Sequence, residues 1–380
     1  MVEKVSGDRL SLARRHLMSW GTGQPLPRAA HTATQASATV VLESDAHLTA
    51  VLASDLVGPG SAVFAPGAPG APADADGRGV FVMGYEGTLG EPGGDFVLEE
   101  DADSFFLQTQ DYGTSAYLSV IGATLVRVME DADFEAFLAD ADTAFSEGTF
   151  ASFVTDPAVQ LADVTALGGG HADDGPHTRL YVRADGTIST GPSGLELGRI
   201  DRGPRLFGAV TEQWRETSAL SALPGATDLG GTVDDTLRVR ELLARPWIGR
   251  WLAAIEAVRD LRTRGESEVR VSGFGGRLTA ALARCGAPGA DCQDAAAPLL
   301  LWTDDAAFVR TRGRTFRINR AAGEAVEALL VCGSPASASA FTDRALLDEA
   351  LRGFAAAGVR LVPSRGTPEG TEDALAGAAT

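Results

Sequence analysis

The stretch FVRTRGRTFRINRAAGEAVEALL, residues 308–330, decides the fold of the C-terminal part of this chain. Its apolar pattern predicts a strand at 307–311, a second strand at 314–319 and a helix at about 321–332. Five arginines precede its first acidic residue, Glu324; they are Arg310, Arg312, Arg314, Arg317 and Arg320. The chain as a whole carries a formal net charge of −19, so this basic hairpin requires an explanation.

The residues on either side extend the pattern. A predicted strand at 299–303 precedes the hairpin, and two further predicted helices, at about 336–341 and 344–357, follow it. Three strands followed by three helices are typical of a small winged helix-turn-helix, which we place at residues 298–364. The last residues, 365–380, are small and polar and are predicted to be disordered.

The composition indicates a globular protein with more than one domain. The chain has 380 residues, of which 44% are hydrophobic and 22% charged. A pI near 4.6 argues against broad nucleic-acid binding, which needs a positive footprint. No apolar window is long enough for a transmembrane helix and the N-terminus lacks a signal core, so we expect a soluble cytoplasmic protein that does not bind membranes. Three cysteines without CxxC spacing argue against a disulfide framework or a zinc site.

The rest of the chain predicts a mixed α+β protein with an α/β N-terminal part. We predict an α/β domain at residues 1–165 and a middle α/β region at residues 166–297. In the middle region, residues 180–182 and 187–189 predict a hairpin. The segment RPWIGRWLAAIEAVRDLRTRG predicts a helix with an apolar stripe, which is formed by Trp247, Trp251, Ile255 and Val258.

Few residues are candidates for chemistry. The segment VSGFGGRLTAAL, residues 271–282, has GxGG rather than GxGxxG between a predicted strand and a predicted helix, so we interpret it as a structural turn. His171 and Asp173 could begin a two-His, one-carboxylate iron site, but no histidine follows His177 to complete it. The sequence has no GxSxG, P-loop or HExxH motif. We therefore expect no catalytic residues, no metal and no cofactor.

The sequence allows two interpretations of the arginine hairpin. It is either a ribbon whose arginines only face water, or a surface that holds a ligand. A winged helix suggests DNA, but the last predicted helix carries Asp343, Asp348 and Glu349. A helix that reads the major groove should not present acids to phosphates. A winged-helix regulator is therefore an alternative that the charge distribution disfavours.

The C-terminal pattern resembles a known peptide-binding module. A strand that ends in Asn319, a helix of small and aliphatic residues with Leu329, and a last helix with Leu351 that ends before Gly358 are similar to the PqqD-like RiPP recognition element. The resemblance covers about 65 residues. More loosely, the whole chain resembles the recognition proteins of daptide biosynthesis, through its length, the VSGFGGRL turn and the tryptophan-containing helix.

The resemblance implies a binding site. Such modules hold the leader of a ribosomally made precursor peptide, which adds as a strand to the third strand and packs against the third helix. Carried onto this chain, the peptide-binding residues are Arg314, Thr315, Phe316, Arg317, Ile318, Asn319, Leu346, Leu347, Ala350, Leu351 and Phe354. The arginines Arg310, Arg312 and Arg320 would then steer an acidic leader by charge.

The resemblance also implies a partner. The protein would deliver the precursor to an iron-dependent, alcohol-dehydrogenase-like oxidoreductase that acts on the precursor's C-terminal threonine. It would itself be no enzyme, and we expect residues 1–290 to contact the partner. The alternative from another class is an iron-dependent oxygenase of the JmjC-cupin type, which would need the incomplete ligand set around His171.

Overall fold

The computed structural model describes residues 3–26, 35–67, 77–90, 93–100, 103–169, 175–282, 296–311 and 313–362. The chain divides into two compact units, Met1–Ser267 and Glu268–Thr380. We call them the N-terminal unit and the C-terminal unit. The predicted boundaries, at residues 165/166 and 297/298, do not coincide with this division.

The N-terminal unit combines helices with one large sheet, as expected for a mixed α+β protein. Its helices are α1 (Glu3–Thr22), α2 (Leu48–Ala53), α3 (Tyr112–Ser115), α4 (Asp131–Glu147), α5 (Phe207–Leu220), α6 (Ala226–Leu229), α7 (Asp235–Leu243) and α8 (Ile248–Thr263). Its strands are β1 (Thr39–Leu42), β2 (Ala62–Pro66), β3 (Phe81–Gly87), β4 (Asp95–Glu100), β5 (Asp103–Asp111), β6 (Ala123–Arg127), β7 (Val159–Leu161), β8 (Arg179–Val182), β9 (Thr187–Ser189) and β10 (Gly198–Arg199).

In the described part of the unit, these ten strands lie in the order β10-β9-β8-β1-β2-β3-β4-β5-β6-β7. The central strand β1 is parallel to both of its neighbours, β2 and β8. Successive residues of a strand face opposite sides of a sheet. Val41 accordingly joins a core that contains Trp20 of α1, while Val40 joins a second core that contains Phe207 of α5. Burial on both faces explains the apolar run Val40–Leu42 of β1, while the buried Thr39 that precedes it has its hydroxyl 2.9 Å from Nδ1 of His16.

The predicted middle region, residues 166–297, does not form a unit of its own. Its hairpin is present, with β8 antiparallel to β9, but β8 also pairs with β1 near the start of the chain. This long-range pairing places residues 175–267 in the N-terminal unit. The predicted apolar stripe of α8 is buried as well; Trp251 and Ile255 are both fully buried.

The C-terminal unit has a smaller, antiparallel sheet followed by helices. Its strands are β11 (Arg270–Val271), β12 (Leu299–Trp302), β13 (Ala307–Thr311) and β14 (Arg314–Ile318), in the order β11-β12-β13-β14. Its helices are α9 (Arg320–Cys332), α10 (Pro335–Ala338) and α11 (Arg344–Ala356). These bounds lie within about three residues of the predicted ones. Asn319, placed at the end of a strand by the prediction, is instead the N-cap of α9, and its side chain accepts a hydrogen bond from the N–H of Ala322.

The helices cover one face of this sheet. Val309 of β13, Leu329 of α9, and Leu347 and Phe354 of α11 share one buried core. Asp343 caps the start of α11 by accepting a hydrogen bond from the N–H of Ala345. The caps and the shared core fix α11 against the sheet.

The glycine turn at residues 272–276 belongs to the C-terminal unit because Glu327 binds the residues around it. The fully buried carboxylate of Glu327 accepts hydrogen bonds from the Ser272 hydroxyl at 2.6 Å and from the N–H groups of Leu278 and Thr279 at 2.8 and 2.6 Å. These contacts account for a boundary at 267/268 rather than 297/298. The segment forms a turn, but the helix predicted after it is not formed over residues 277–281, which are irregular or in turns, and residues 283–295 lie outside the described part.

Candidate functional site

The candidate site is the side of β14 that faces away from β13, which we call the outer edge. β14 ends the order of the smaller sheet, and in the described part of the chain no strand pairs with this side. Its pairing with β13 aligns Thr311 with Arg314, Val309 with Phe316 and Ala307 with Ile318. An unpaired strand edge presents a row of backbone donors and acceptors that a further strand can use.

The hairpin register decides which backbone groups reach the outer edge. Thr311 and Arg314 are joined by only two residues, so this pair must be a hydrogen-bonded one. Hydrogen-bonded and non-hydrogen-bonded pairs alternate along an antiparallel ladder. The N–H groups of Phe316 and Ile318 therefore point to β13, and those of Thr315 and Arg317 point to the outer edge.

The side chains of β14 alternate between two faces. Phe316 lies on the face toward α11, where its ring packs edge-on against Phe354 with the centroids 5.4 Å apart. Ile318 shares that face by alternation and is partly buried against the same core. Thr315 and Arg317 point to the opposite face. The outer edge thus has an apolar side and a polar side.

The predicted residues of α11 do not all reach the surface. Leu347, Ala350 and Phe354 are buried, with exposed fractions of 0, 8 and 8%, and belong to the core of the C-terminal unit. Leu346 and Leu351 are partly exposed while still packed against the core. Together with Phe316 and Ile318, they supply the apolar surface that a ligand can contact.

The arginines of the hairpin have different surroundings. Arg317 is exposed, and Arg310 is half-buried and donates a hydrogen bond to the Thr315 hydroxyl at 3.0 Å. Arg314 lies on the α11 face, with its guanidinium carbon 5.7 Å from the centre of the Phe316 ring. Arg320, in the first turn of α9, forms an ion pair with Glu324 at 3.5 Å. The fifth, Arg312, lies outside the described residues.

Sequence reasoning missed Glu327, the residue that ties the glycine turn to α9. A glutamate inside a helical apolar run was the available signal, because a buried carboxylate needs hydrogen-bond partners. Sequence reasoning also missed that Arg310 and Arg317 share one face while Arg314 lies on the other, which follows from the pairing of Arg310 with Thr315 and of Phe308 with Arg317.

The N-terminal unit has a cavity of about 330 Å³ beside β3 and β4, lined in part by Arg9, Tyr85 and Glu100. Arg9 and Glu100 form an ion pair at 2.7 Å. The Tyr85 hydroxyl donates to the carbonyl of Leu42 at 2.6 Å, and burial raises the pKa of Tyr85 above its usual value. These polar groups bind within the unit and do not define a ligand.

No metal centre is formed by the residues that the structure describes, where no group of three or more His, Cys, Asp or Glu side chains could hold an ion. His171 and Asp173 lie outside those residues. The described His177 packs its ring against Phe207 at 5.0 Å between centroids. Among the described helices, none is long and apolar enough to cross a membrane.

Comparisons with protein families, curated proteins and solved structures found no match for this chain.

Proposed function

We propose that the C-terminal unit binds an extended segment of a precursor peptide as an additional strand on the outer edge. The observation that carries the proposal is the combination of outward-facing backbone groups at Thr315 and Arg317 with the partly exposed apolar side chains beside them. In β-augmentation, main-chain hydrogen bonds supply affinity and neighbouring side chains supply specificity. Both elements are available here along one strand.

The order of elements supports a more specific form of the proposal. Strands β12 to β14 followed by α9, α10 and α11 suit a winged helix of the PqqD-like recognition type. The extra strand β11 pairs with β12, at the opposite end of the sheet from β14. It therefore leaves the outer edge in place for a peptide. The ligand we propose is the leader region of a ribosomally made precursor.

In this proposal the protein is a non-catalytic adaptor. It delivers the precursor to an iron-dependent, alcohol-dehydrogenase-like oxidoreductase that modifies the C-terminal threonine of the peptide. The N-terminal unit, Met1–Ser267, is much larger than leader binding requires, and we propose that it contacts this enzyme. The first check is gene neighbourhood, where a short precursor gene should lie beside oxidoreductase and aminotransferase genes.

A matched pair of proline substitutions tests the binding mode. Thr315→Pro removes an N–H that faces the outer edge, and proline is tolerated at such positions. Ile318→Pro instead removes an N–H that bonds to β13 and should disrupt the hairpin itself. The binding of the leader of the neighbouring precursor gene to the full chain is measured by fluorescence anisotropy, with circular dichroism to follow folding.

We expect Thr315→Pro to keep the wild-type melting transition and to weaken leader binding about tenfold. One lost hydrogen bond costs about 1 kcal/mol, and the added strand is also held less firmly in its register with β14. Thr315→Val is the control, because it removes the hydroxyl and keeps the N–H. A folded Thr315→Pro protein that binds the leader as tightly as the wild type would contradict strand addition at this edge.

A further inference from the structure

The two faces of the outer edge differ in chemistry, and this difference constrains any strand that adds there. A residue of an added strand lies directly opposite one residue of β14 and shares its face, with Cβ atoms about 4.5–5.5 Å apart. The side chains of the added strand therefore meet the α11 face and the opposite face in strict alternation.

The face opposite to α11 is cationic along β14. Arg317 is exposed there, and Arg310 extends over β14 because its guanidinium donates to the Thr315 hydroxyl at 3.0 Å. The register pairs Arg310 with Thr315 and places both arginines on this one face. A carboxylate on the added strand would meet one or two guanidinium groups, which bind carboxylates in a planar, two-pronged geometry.

The face toward α11 is apolar over the second half of β14. Phe316 packs against Phe354, and Ile318 follows on the same side. Leu351 of α11 is partly exposed beside this core. Arg314 lies on this face too, but at the start of β14. Opposite Ile318, a large aliphatic side chain on the added strand would cover the apolar groups, whereas a charged one would lose its water there.

We infer that the outer edge selects an extended peptide in which acidic and large aliphatic residues alternate. The acids face Arg310 and Arg317, and the aliphatic side chains face Phe316, Ile318 and α11. This inference rests on the proposed function and adds to it the chemical class of the ligand. Order along the peptide matters as much as composition, because only strict alternation sends the two kinds of side chain to opposite faces.

Three synthetic heptapeptides test the inference on the full chain at low ionic strength. The first alternates Leu and Asp, beginning and ending with Leu. The second has the same composition in two blocks, four Leu followed by three Asp. The third alternates Leu and Lys. Each carries a fluorophore and capped ends, and binding is followed by fluorescence anisotropy.

We expect the alternating Leu–Asp peptide to bind about tenfold more tightly than either of the others, as the sum of several cross-strand pairs. The Arg317→Glu variant should bind the Leu–Asp peptide about fivefold more weakly and the Leu–Lys peptide more tightly, because the charge opposite the peptide is reversed. Arg215→Glu, an exposed arginine of the N-terminal unit, is the matched control and should change neither affinity.

The outcomes separate this inference from the proposed function. If the block and alternating peptides bind equally and Thr315→Pro weakens both, strand addition stands and the alternation rule is wrong. If the precursor leader binds at the outer edge but the alternating peptide does not, the inference is also overturned. If the leader fails to bind the full chain at all, the proposed function fails.

Discussion

Arginine has different roles in the two units. In the N-terminal unit, the side chain of Arg179 is only 4% exposed; it lies 2.6 Å from Asp163 and 3.2 Å from Asp228, and it donates to the carbonyl of Trp20 at 2.9 Å. Along β14, by contrast, Arg314 and Arg317 are exposed. The same side chain is thus a structural crosslink in one unit and a surface charge in the other.

Arg238 extends the contrast within the N-terminal unit. Its side chain is 1% exposed, and its guanidinium donates to the carbonyls of Ala166 and Pro224, both at 2.9 Å, and to Asp235 at 2.7 Å. Burial disfavours a charged group, and it lowers the pKa of the buried Arg259 to about 10. Arginines that stay buried do so with several acceptors around them, so burial and partners, rather than residue type, distinguish a structural arginine from a binding one.

The largest effect should come from removing a buried arginine. Arg179→Ala leaves Asp163 and Asp228 buried near each other without their shared partner, and we expect a loss of about 3–5 kcal/mol in the free energy of unfolding. Urea denaturation followed by tryptophan fluorescence measures it. Arg215→Ala, at an exposed i,i+3 pair with Glu212, is the control and should change stability by less than about 0.5 kcal/mol. If Arg179→Ala lowers the free energy of unfolding by less than about 1 kcal/mol, the buried arginine contributes no more to stability than a surface ion pair does, and the contrast between the two units is wrong.

A smaller effect is expected at the buried acid of the C-terminal unit. Glu327→Ala leaves the N–H groups of Leu278 and Thr279 without their acceptor, and we expect a loss of about 2–4 kcal/mol, confined to this unit. Hydrogen exchange of amides in the C-terminal unit measures it. The matched control is Glu324→Ala on the same helix, where the side chain is 40% exposed and forms an ion pair with Arg320 at 3.5 Å. Equal protection in the two variants would mean that the glycine turn is not tied to α9 by Glu327.

The smallest effect is expected at the outer edge. Arg317→Glu should slow the association of an acidic leader and reduce the salt dependence of that rate, because exposed charges act mainly on encounter. The loss in binding should be about 1 kcal/mol at low salt, with no change in stability. Stopped-flow fluorescence at two ionic strengths measures the rates. Arg352→Glu, exposed on α11, is the control within the unit, and identical rates in the two variants would exclude a special role for Arg317.

Several elements were predictable because their signals are local. The hairpin at β13 and β14, the helices α9 and α11, and the apolar stripe of α8 each follow from residue spacing within one segment. Asp343 at the start of α11 is a cap of this local kind, since its partner lies two residues away.

The tertiary structure alone decided the division into units and the character of the edge. Arg179 and Trp20 are 159 residues apart in sequence, and Glu327 and Leu278 are 49 apart, so no pattern within one segment could pair them. The direction of the Thr315 and Arg317 backbone groups depends on the register with β13, and the burial of Leu347 depends on the core beneath it. The sequence by itself determined the hairpin of β13 and β14, the helices α9 and α11 and the stripe of α8, because propensity and periodicity act over a few residues. Which side chains are crosslinks and which remain available to a ligand was decided by packing between segments that are distant in the chain.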